Sequence, residues 1–265
     1  MSWVSITGRD AHLEAFEFGG SGTGVLLLHG LAGTAREWEE TAAWLTETHR
    51  VVGLDQRGHG RSERRPADVT PAAFVADALA AVESLGLAPT IVVGQSLGGL
   101  IGFLAASERP DLVSALIVVE GTPTREGPEV AEQIADYFGS WPLPFPSEDA
   151  AVTFFGGESL RARAWARNLV ASPSGLQPAF DADVLVAAIA EALARDYWDE
   201  WRALEVPTLL VRGQEGELSP AEAAAMVAAV PSAQLVSIPG AGHDVHLDAP
   251  EAWRSAVEGF LARVT

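Results

Sequence analysis

Residues 91–100 read IVVGQSLGGL and decide how the rest of the chain is interpreted. A run of β-branched residues leads into Gly94-Gln95-Ser96-Leu97-Gly98, and an amphipathic stretch follows at once. A Gly-x-Ser-x-Gly motif in this context predicts a sharp strand-to-helix turn that exposes the serine hydroxyl. Gly94 and Gly98 carry no Cβ, so strand and helix can approach closely around the turn. The stretch therefore predicts a nucleophile, Ser96, at a helix N-terminus that favours negative charge.

Short apolar runs alternate with amphipathic stretches on both sides of this motif. Strands are predicted at Trp3–Thr7, Leu13–Phe18, Val25–His29, Arg50–Leu54, Thr90–Gly94, Val113–Glu120, Pro207–Gly213 and Gln234–Ile238. Helices are predicted at Trp38–Thr46, Pro71–Leu85, Leu97–Ser107, Pro220–Val230 and Pro250–Val264. This order is typical of the α/β class: a mostly parallel, eight-stranded sheet with helices on both faces.

Residues 121–205 interrupt the alternation, because strand patterns give way to Pro-rich turns and helical stretches. A structureless loop of this length is implausible in a compact domain. We therefore predict a core domain of residues 1–120 and 206–265, with a helical cap, residues 121–205, inserted between strands six and seven. The cap holds 11 of the chain's 20 aromatic residues. Most are expected to pack the cap onto the core, and those predicted to line a pocket are Trp141, Phe145, Phe154, Trp165 and Trp198.

Composition narrows the choice of partners. The net charge is −19, and all 17 basic residues are Arg. Such a surface repels nucleic acid and anionic membranes. The chain has no Cys, which excludes disulfides and thiolate chemistry. The histidines are scattered and no dinucleotide fingerprint follows the first strand, so neither a metal nor a cofactor is expected. Without a signal-peptide pattern the expected location is cytoplasmic, and monomer and homodimer both stay open.

Several motifs occur together in an order that carries a family resemblance. Residues 29–33 read HGLAG after the third strand, residues 55–62 read DQRGHGRS, and residues 238–243 read IPGAGH. With the serine motif they resemble the cap-bearing serine ester and lactone hydrolases of the α/β-hydrolase superfamily across nearly the whole chain. The resemblance implies that His243 is the base for Ser96, with His246 as its nearest rival. It also implies an oxyanion hole formed by the backbone N–H groups of Leu31 and Leu97.

The acid of the triad is where the chain departs from the family pattern. Most members carry an Asp three residues after the glycine that ends the strand here assigned to Pro207–Gly213. This chain has Gly216 at that position. Glu120, which ends a very apolar strand, is the favoured replacement, since some families place their acid there. Glu217 is the alternative, and Glu215 is less favoured.

These roles predict cleavage of an ester, lactone or thioester of an apolar small molecule through an acyl-enzyme. A carbon–carbon bond hydrolase and a cofactor-free perhydrolase would share the same triad. A non-catalytic hydrolase-fold receptor, a different class of protein, would also account for the missing Asp.

Overall fold

A computed structural model describes residues 1–264 and confirms the predicted α/β architecture. The strands are β1 Ser2–Thr7, β2 His12–Gly19, β3 Gly24–Leu28, β4 Arg50–Asp55, β5 Thr90–Gln95, β6 Val113–Val119, β7 Leu169–Ser172, β8 Gly175–Pro178, β9 Thr208–Gly213 and β10 Ala233–Ile238. The helices are α1 Glu39–Leu45, α2 Pro71–Ser84, α3 Leu97–Glu108, α4 Pro128–Gly139, α5 Glu148–Phe154, α6 Leu160–Arg167, α7 Ala182–Leu193, α8 Trp198–Arg202, α9 Pro220–Ala229, α10 Val245–Asp248 and α11 Pro250–Val264. A 3₁₀ turn at Ala35–Trp38 precedes α1.

Within residues 1–264, eight strands form the main sheet in the order β1-β2-β4-β3-β5-β6-β9-β10. In that sheet β2 pairs antiparallel with both β1 and β4, and the other pairs are parallel. The parallel strands β3, β5, β6 and β9 therefore end at the same edge of the sheet. That edge carries the oxyanion loop after β3, the serine turn after β5 and Glu120 after β6.

Both faces of the sheet are buried, which explains the nearly continuous apolar strands. Leu26 and Leu28 of β3 pack on the side of α2 and α3, whereas Val25 and Leu27 pack on the side of α1 and α11. All four side chains are fully buried. This packing fixes the sheet rigidly beneath the loops at its carboxyl edge.

The inserted segment, residues 121–205, joins β6 to β9 and contains α4–α8. It also contains a short antiparallel hairpin, β7–β8, which the sequence did not predict. An aromatic cluster including Phe138, Trp141, Phe145 and Phe180 forms its small core. None of the helices described, through Val264, combines the length and the apolar character needed to cross a bilayer.

Candidate active site

The serine turn has the strained geometry that the motif predicts. Ser96 lies between β5 and α3 with φ 51° and ψ −115°, and its backbone N–H donates to Val119 O at 2.8 Å. A Cβ at Gly94 would overlap the Gly98 carbonyl, and one at Gly98 would overlap Leu28 O. Both glycines are therefore required for the close approach of strand and helix.

Backbone strain is concentrated around this turn. Among residues 1–264, the non-glycine residues with positive φ are Ala32 at 65°, Ser96 at 51° and Glu120 at 52°. Each such conformation costs about 1–3 kcal/mol and persists only where the surrounding structure imposes it. The three residues follow β3, β5 and β6 respectively, so the strained positions adjoin one another at the carboxyl edge. This clustering is typical of a functional site.

The Glu120 carboxylate is buried and held by three backbone donors. Its Oε1 accepts from Gly213 N at 2.8 Å, and its Oε2 accepts from Glu217 N at 2.6 Å and Leu218 N at 3.0 Å. Burial raises the pKa of Glu120, but the adjacent His243 imidazole and the hydrogen bonds from these backbone groups outweigh it and leave the pKa below its ordinary value. The carboxylate is therefore ionised and fixed in one orientation at neutral pH.

Gly216, at the position where the family resemblance implies an Asp, leaves the space that this carboxylate occupies. A Cβ at Gly216 would lie 2.5 Å from Cδ of Glu120, a distance that forces one group to move. A side chain at position 216 and the Glu120 carboxylate therefore compete for the same space. The absence of an Asp at 216 and the presence of a glutamate after β6 are sterically coupled.

His243 extends from the loop after β10 toward this carboxylate. Its Nδ1 lies 3.5 Å from Glu120 Oε2 and also 3.5 Å from Glu217 Oε2. Its backbone O accepts from Gln95 Nε2 at 3.2 Å, which ties the histidine loop to the serine turn. Burial lowers the pKa of His243, but Glu120, Glu217 and Asp244 raise it to a net value above the ordinary one. The two carboxylates at equal distance differ in burial: the Glu120 side chain is fully buried and that of Glu217 is 80% exposed.

The two residues that carry the predicted oxyanion donors lie at the same cavity as the serine. Leu31 and Leu97 both line the cavity that contains Ser96, and neither N–H has a hydrogen-bond partner within the described part of the chain. A Cβ at Gly30 would lie 3.4 Å from Ser96 Cβ, which shows how closely the loop after β3 approaches the serine. His29 braces that loop: its Nε2 accepts from Gln56 N at 3.0 Å, so its Nδ1–H donates to Gly30 O at 2.7 Å.

His246, the rival base, is packed away from the serine. Its ring stacks on Trp38 at 4.1 Å between centroids and meets Trp253 of α11 at 6.4 Å. Burial lowers its pKa to about 3, so the ring is neutral at physiological pH. The side chain is 1% exposed and does not line the cavity.

The cavity above Ser96 has a volume of about 240 Å³ and lies between the sheet edge and the inserted segment. Of the five aromatic residues predicted to line it, the structure places Trp165 there; Tyr137 and Phe138 join it. Four are placed elsewhere. Trp141 and Phe145 are buried in the aromatic cluster, Phe154 packs on its outer side and is 38% exposed, and Trp198 packs on the core beneath.

Several residues that line the cavity were not predicted from the sequence. The lining includes Glu126, Glu222 and Asp244 in addition to Glu120 and Glu217. Glu222 lies three residues after the N-cap Ser219 and therefore resembles part of a capping box. No group of three or more potential metal ligands occurs among residues 1–264.

Comparison with known proteins assigns the family. The profile described as alpha/beta hydrolase fold matches residues 24–250, and the chain belongs to this family. It is 27% identical over 249 residues to the 2-(acetamidomethylene)succinate hydrolase of Mesorhizobium japonicum, covering 91% of this chain and 89% of that protein. It is 28% identical over 250 residues to an sn-1-specific diacylglycerol lipase of Mus musculus, covering 90% and 80% respectively.

Solved structures agree with this assignment. A crystal structure of E-2-(acetamidomethylene)succinate hydrolase superposes with a TM-score of 0.88 at 25% identity, covering 98% of this chain and 100% of that one. A thermophilic esterase from Thermogutta terrifontis superposes with a TM-score of 0.80 at 26% identity, covering 100% and 99%. By their names these relatives are hydrolases that act on different substrates.

Proposed function

We propose that the protein is a serine hydrolase that cleaves a carboxylic ester, lactone or thioester through an acyl-enzyme. The observation that carries the proposal is the Ser96–His243–Glu120 arrangement at the carboxyl edge of the sheet. Ser96 and His243 line one cavity, and Nδ1 of His243 faces the buried, backbone-anchored carboxylate of Glu120.

The chemistry follows from these positions. Ser96 Oγ attacks the acyl carbonyl carbon while Nε2 of His243 takes the hydroxyl proton. The carbonyl oxygen becomes an oxyanion, for which the free N–H groups of Leu31 and Leu97 are the donors. His243 then gives its proton to the departing alcohol or thiol, which leaves the acyl group on Ser96. A water molecule, deprotonated by His243, hydrolyses this ester and restores the serine.

Glu120 acts on the histidine rather than on the substrate. Its carboxylate holds Nδ1 protonated, so that Nε2 is the free base, and it stabilises the imidazolium that forms in each half-reaction. The 3.5 Å separation is longer than a hydrogen bond; such contacts in sites without substrate commonly tighten when substrate is bound.

Active-site labelling with a fluorophosphonate tests the proposal directly. The wild-type protein is expected to be labelled and to hydrolyse p-nitrophenyl acetate, whereas Ser96→Ala should do neither and His243→Ala should be labelled far more slowly. A folded wild-type protein that reacts with no fluorophosphonate and turns over no ester would contradict the enzyme reading and favour a binding protein. Peptide mapping of the label to any residue other than Ser96 would also overturn it.

A further inference from the structure

Carboxylates are the most numerous charged groups that line the cavity above Ser96. Five acidic residues contribute to the lining, and within residues 1–264 no Arg does; they are Glu120, Glu126, Glu217, Glu222 and Asp244. The sequence contains no Lys, so His243 is the available cationic group of the lining. The whole chain has 36 Asp and Glu against 17 Arg, so many carboxylates lack an Arg partner, and in this cavity five of them line one space. Elsewhere some carboxylates are paired, such as Asp111 with Arg109 and Asp183 with Arg65.

Not all five charges are already used by the fold. Glu120 is held by backbone donors, Asp244 accepts from Trp165 Nε1 at 3.0 Å, and Glu222 accepts from the Thr122 hydroxyl. Glu126 has no hydrogen-bond or ion-pair partner in the part of the chain that the structure describes. Partial burial raises the pKa of Glu126, which is still exposed to solvent, and the nearby carboxylates of Glu217 and Glu222 raise it further. A cation between these three glutamates would relieve their mutual repulsion.

Aromatic rings contribute a second, independent feature of the same cavity. Tyr137 and Phe138 of α4 and Trp165 of α6 line it, and Tyr137 is 45% exposed. Ring faces attract alkylammonium groups, and the attraction grows when the site excludes water. The combination of acidic and aromatic walls suits an organic cation better than it suits a neutral chain alone.

The same wall disfavours the substrate class named for one relative. That relative is a hydrolase of a substituted succinate, which is a dicarboxylate. A carboxylate in this cavity would share it with Glu126, Glu217 and Glu222, and within residues 1–264 no Arg lines the cavity to neutralise it. Placing an unpaired charge beside like charges is unfavourable, by an amount that solvent screening at the exposed Glu126 and Glu217 reduces.

We propose that the cavity selects an acyl substrate that carries an alkylammonium group and excludes substrates that carry a carboxylate. The inference rests on the proposed role of Ser96 and adds the charge of the group bound beside it. Glu126 and Glu222 are the specificity-determining side chains, and the ring faces of Tyr137 and Trp165 contact the alkyl groups on the nitrogen.

Esters that match in shape and differ in charge provide the test, because a quaternary carbon can replace the quaternary nitrogen with little change of shape. One series compares butyrylcholine with 3,3-dimethylbutyl butyrate and with the anionic butyrate ester of 4-hydroxybutanoate. A second places the charge on the acyl side and compares the ethyl ester of trimethylglycine with ethyl 3,3-dimethylbutanoate. Each kcat/KM is divided by the rate constant for hydroxide-catalysed hydrolysis of the same ester, so that intrinsic reactivity cancels.

In at least one series the normalised kcat/KM of the cationic ester should exceed that of the neutral ester by about tenfold, as expected for one partly screened charge pair. The anionic ester should fall below the neutral one. Added 0.5 M NaCl should compress the cationic preference. The Glu126→Gln and Glu222→Gln variants should each reduce this preference, whereas the control variant Glu132→Gln, on α4 but outside the cavity lining, should retain it.

Protection of Ser96 from fluorophosphonate supplies a readout that does not depend on turnover. Tetramethylammonium should slow labelling at concentrations at which acetate does not. A cationic-to-neutral ratio of one or less in both series, with equal protection by the two ions, would overturn the inference. Such a result with Ser96 still labelled would leave the hydrolase assignment intact, whereas unlabelled Ser96 would refute the proposed function itself.

Discussion

The Glu120→Gln substitution is the sharpest test of the triad, because the structure supplies its own control. Nδ1 of His243 lies 3.5 Å from a carboxylate oxygen of Glu120 and 3.5 Å from one of Glu217. The two glutamates carry the same charge at the same distance and differ in exposure, since the Glu120 side chain is fully buried and that of Glu217 is 80% exposed. Any difference between the two variants therefore reports burial and orientation.

The expected magnitudes follow from Coulomb's law at that distance. With an effective dielectric constant of about 20 for the buried pair, loss of the Glu120 charge removes roughly 5 kcal/mol of imidazolium stabilisation. That corresponds to a decrease in kcat of about three to four orders of magnitude, in line with the loss of an orienting acid elsewhere. For Glu217 a dielectric constant near that of water gives about 1 kcal/mol, which corresponds to less than tenfold.

Steady-state hydrolysis of p-nitrophenyl acetate, with single-turnover acylation as a check, measures these effects. Thermal unfolding of each variant is a necessary companion, because a glutamine amide at position 120 meets backbone donors that a carboxylate accepts. The reasoning fails if Glu217→Gln loses more activity than a well-folded Glu120→Gln. Equal, small losses in both variants would show that His243 needs neither acid.

Three further predictions concern the same residues. The double variant Glu120→Ala with Gly216→Asp should have a kcat at least about tenfold higher than Glu120→Ala alone, because the alanine removes the steric conflict and the new Asp supplies a carboxylate. An unchanged kcat would refute the idea that a carboxylate at position 216 can replace the one at position 120. His243 must be neutral to act as base, so activity falls as pH decreases through its raised pKa. Because Glu217 contributes to that increase, Glu217→Gln should move the acid limb of kcat/KM to lower pH, and a limb that stays in place or moves up contradicts this. Ser96→Gly should abolish activity. It should also raise the midpoint of thermal unfolding by about 2–4 °C, because glycine adopts φ 51° without the roughly 1 kcal/mol of strain that serine carries there. An unchanged or lower midpoint would show that the serine turn does not store this strain.

The sequence predicted the sheet and the serine turn well, for a clear physical reason. Strands buried on both faces are continuous apolar runs, and the helices that cover them repeat at a different period, so the two kinds of element separate along the chain. Predicted and observed strand bounds agree within one residue; β6, for example, was predicted to end at Glu120 and ends at Val119. The choice of Glu120 over Glu217 as acid stays a prediction, which the geometry of its backbone donors favours.

The inserted segment was less predictable. The strands β7 and β8 have four residues each, too few for alternation to be recognised, and they are stabilised by each other rather than by a large sheet. The sequence showed that the segment is rich in aromatic residues, but it did not show which of their side chains point into the cavity. Trp165 faces the cavity while Trp141, 24 positions earlier in the sequence, faces the inner cluster, and tertiary packing alone makes that difference.

The carboxylates of the cavity were missed for a related reason. Glu126 lies in a polar loop before α4, and Glu222 lies in the first turn of α9, where acidic residues are common. Neither position is unusual in sequence, and their convergence depends on how the inserted segment covers the sheet edge.

The overlap between residue 216 and the end of β6 also restricts how such proteins can diverge. A lineage that moves its acid from one loop to the neighbouring strand must pass either through an ancestor with two crowded side chains or through one with none. The first is sterically costly, and on the proposed role of Glu120 the second is expected to lose most of its activity, so we expect the two substitutions to be epistatic. Lineages on either side of this barrier should rarely cross it by single replacements, even where the rest of the sheet is interchangeable.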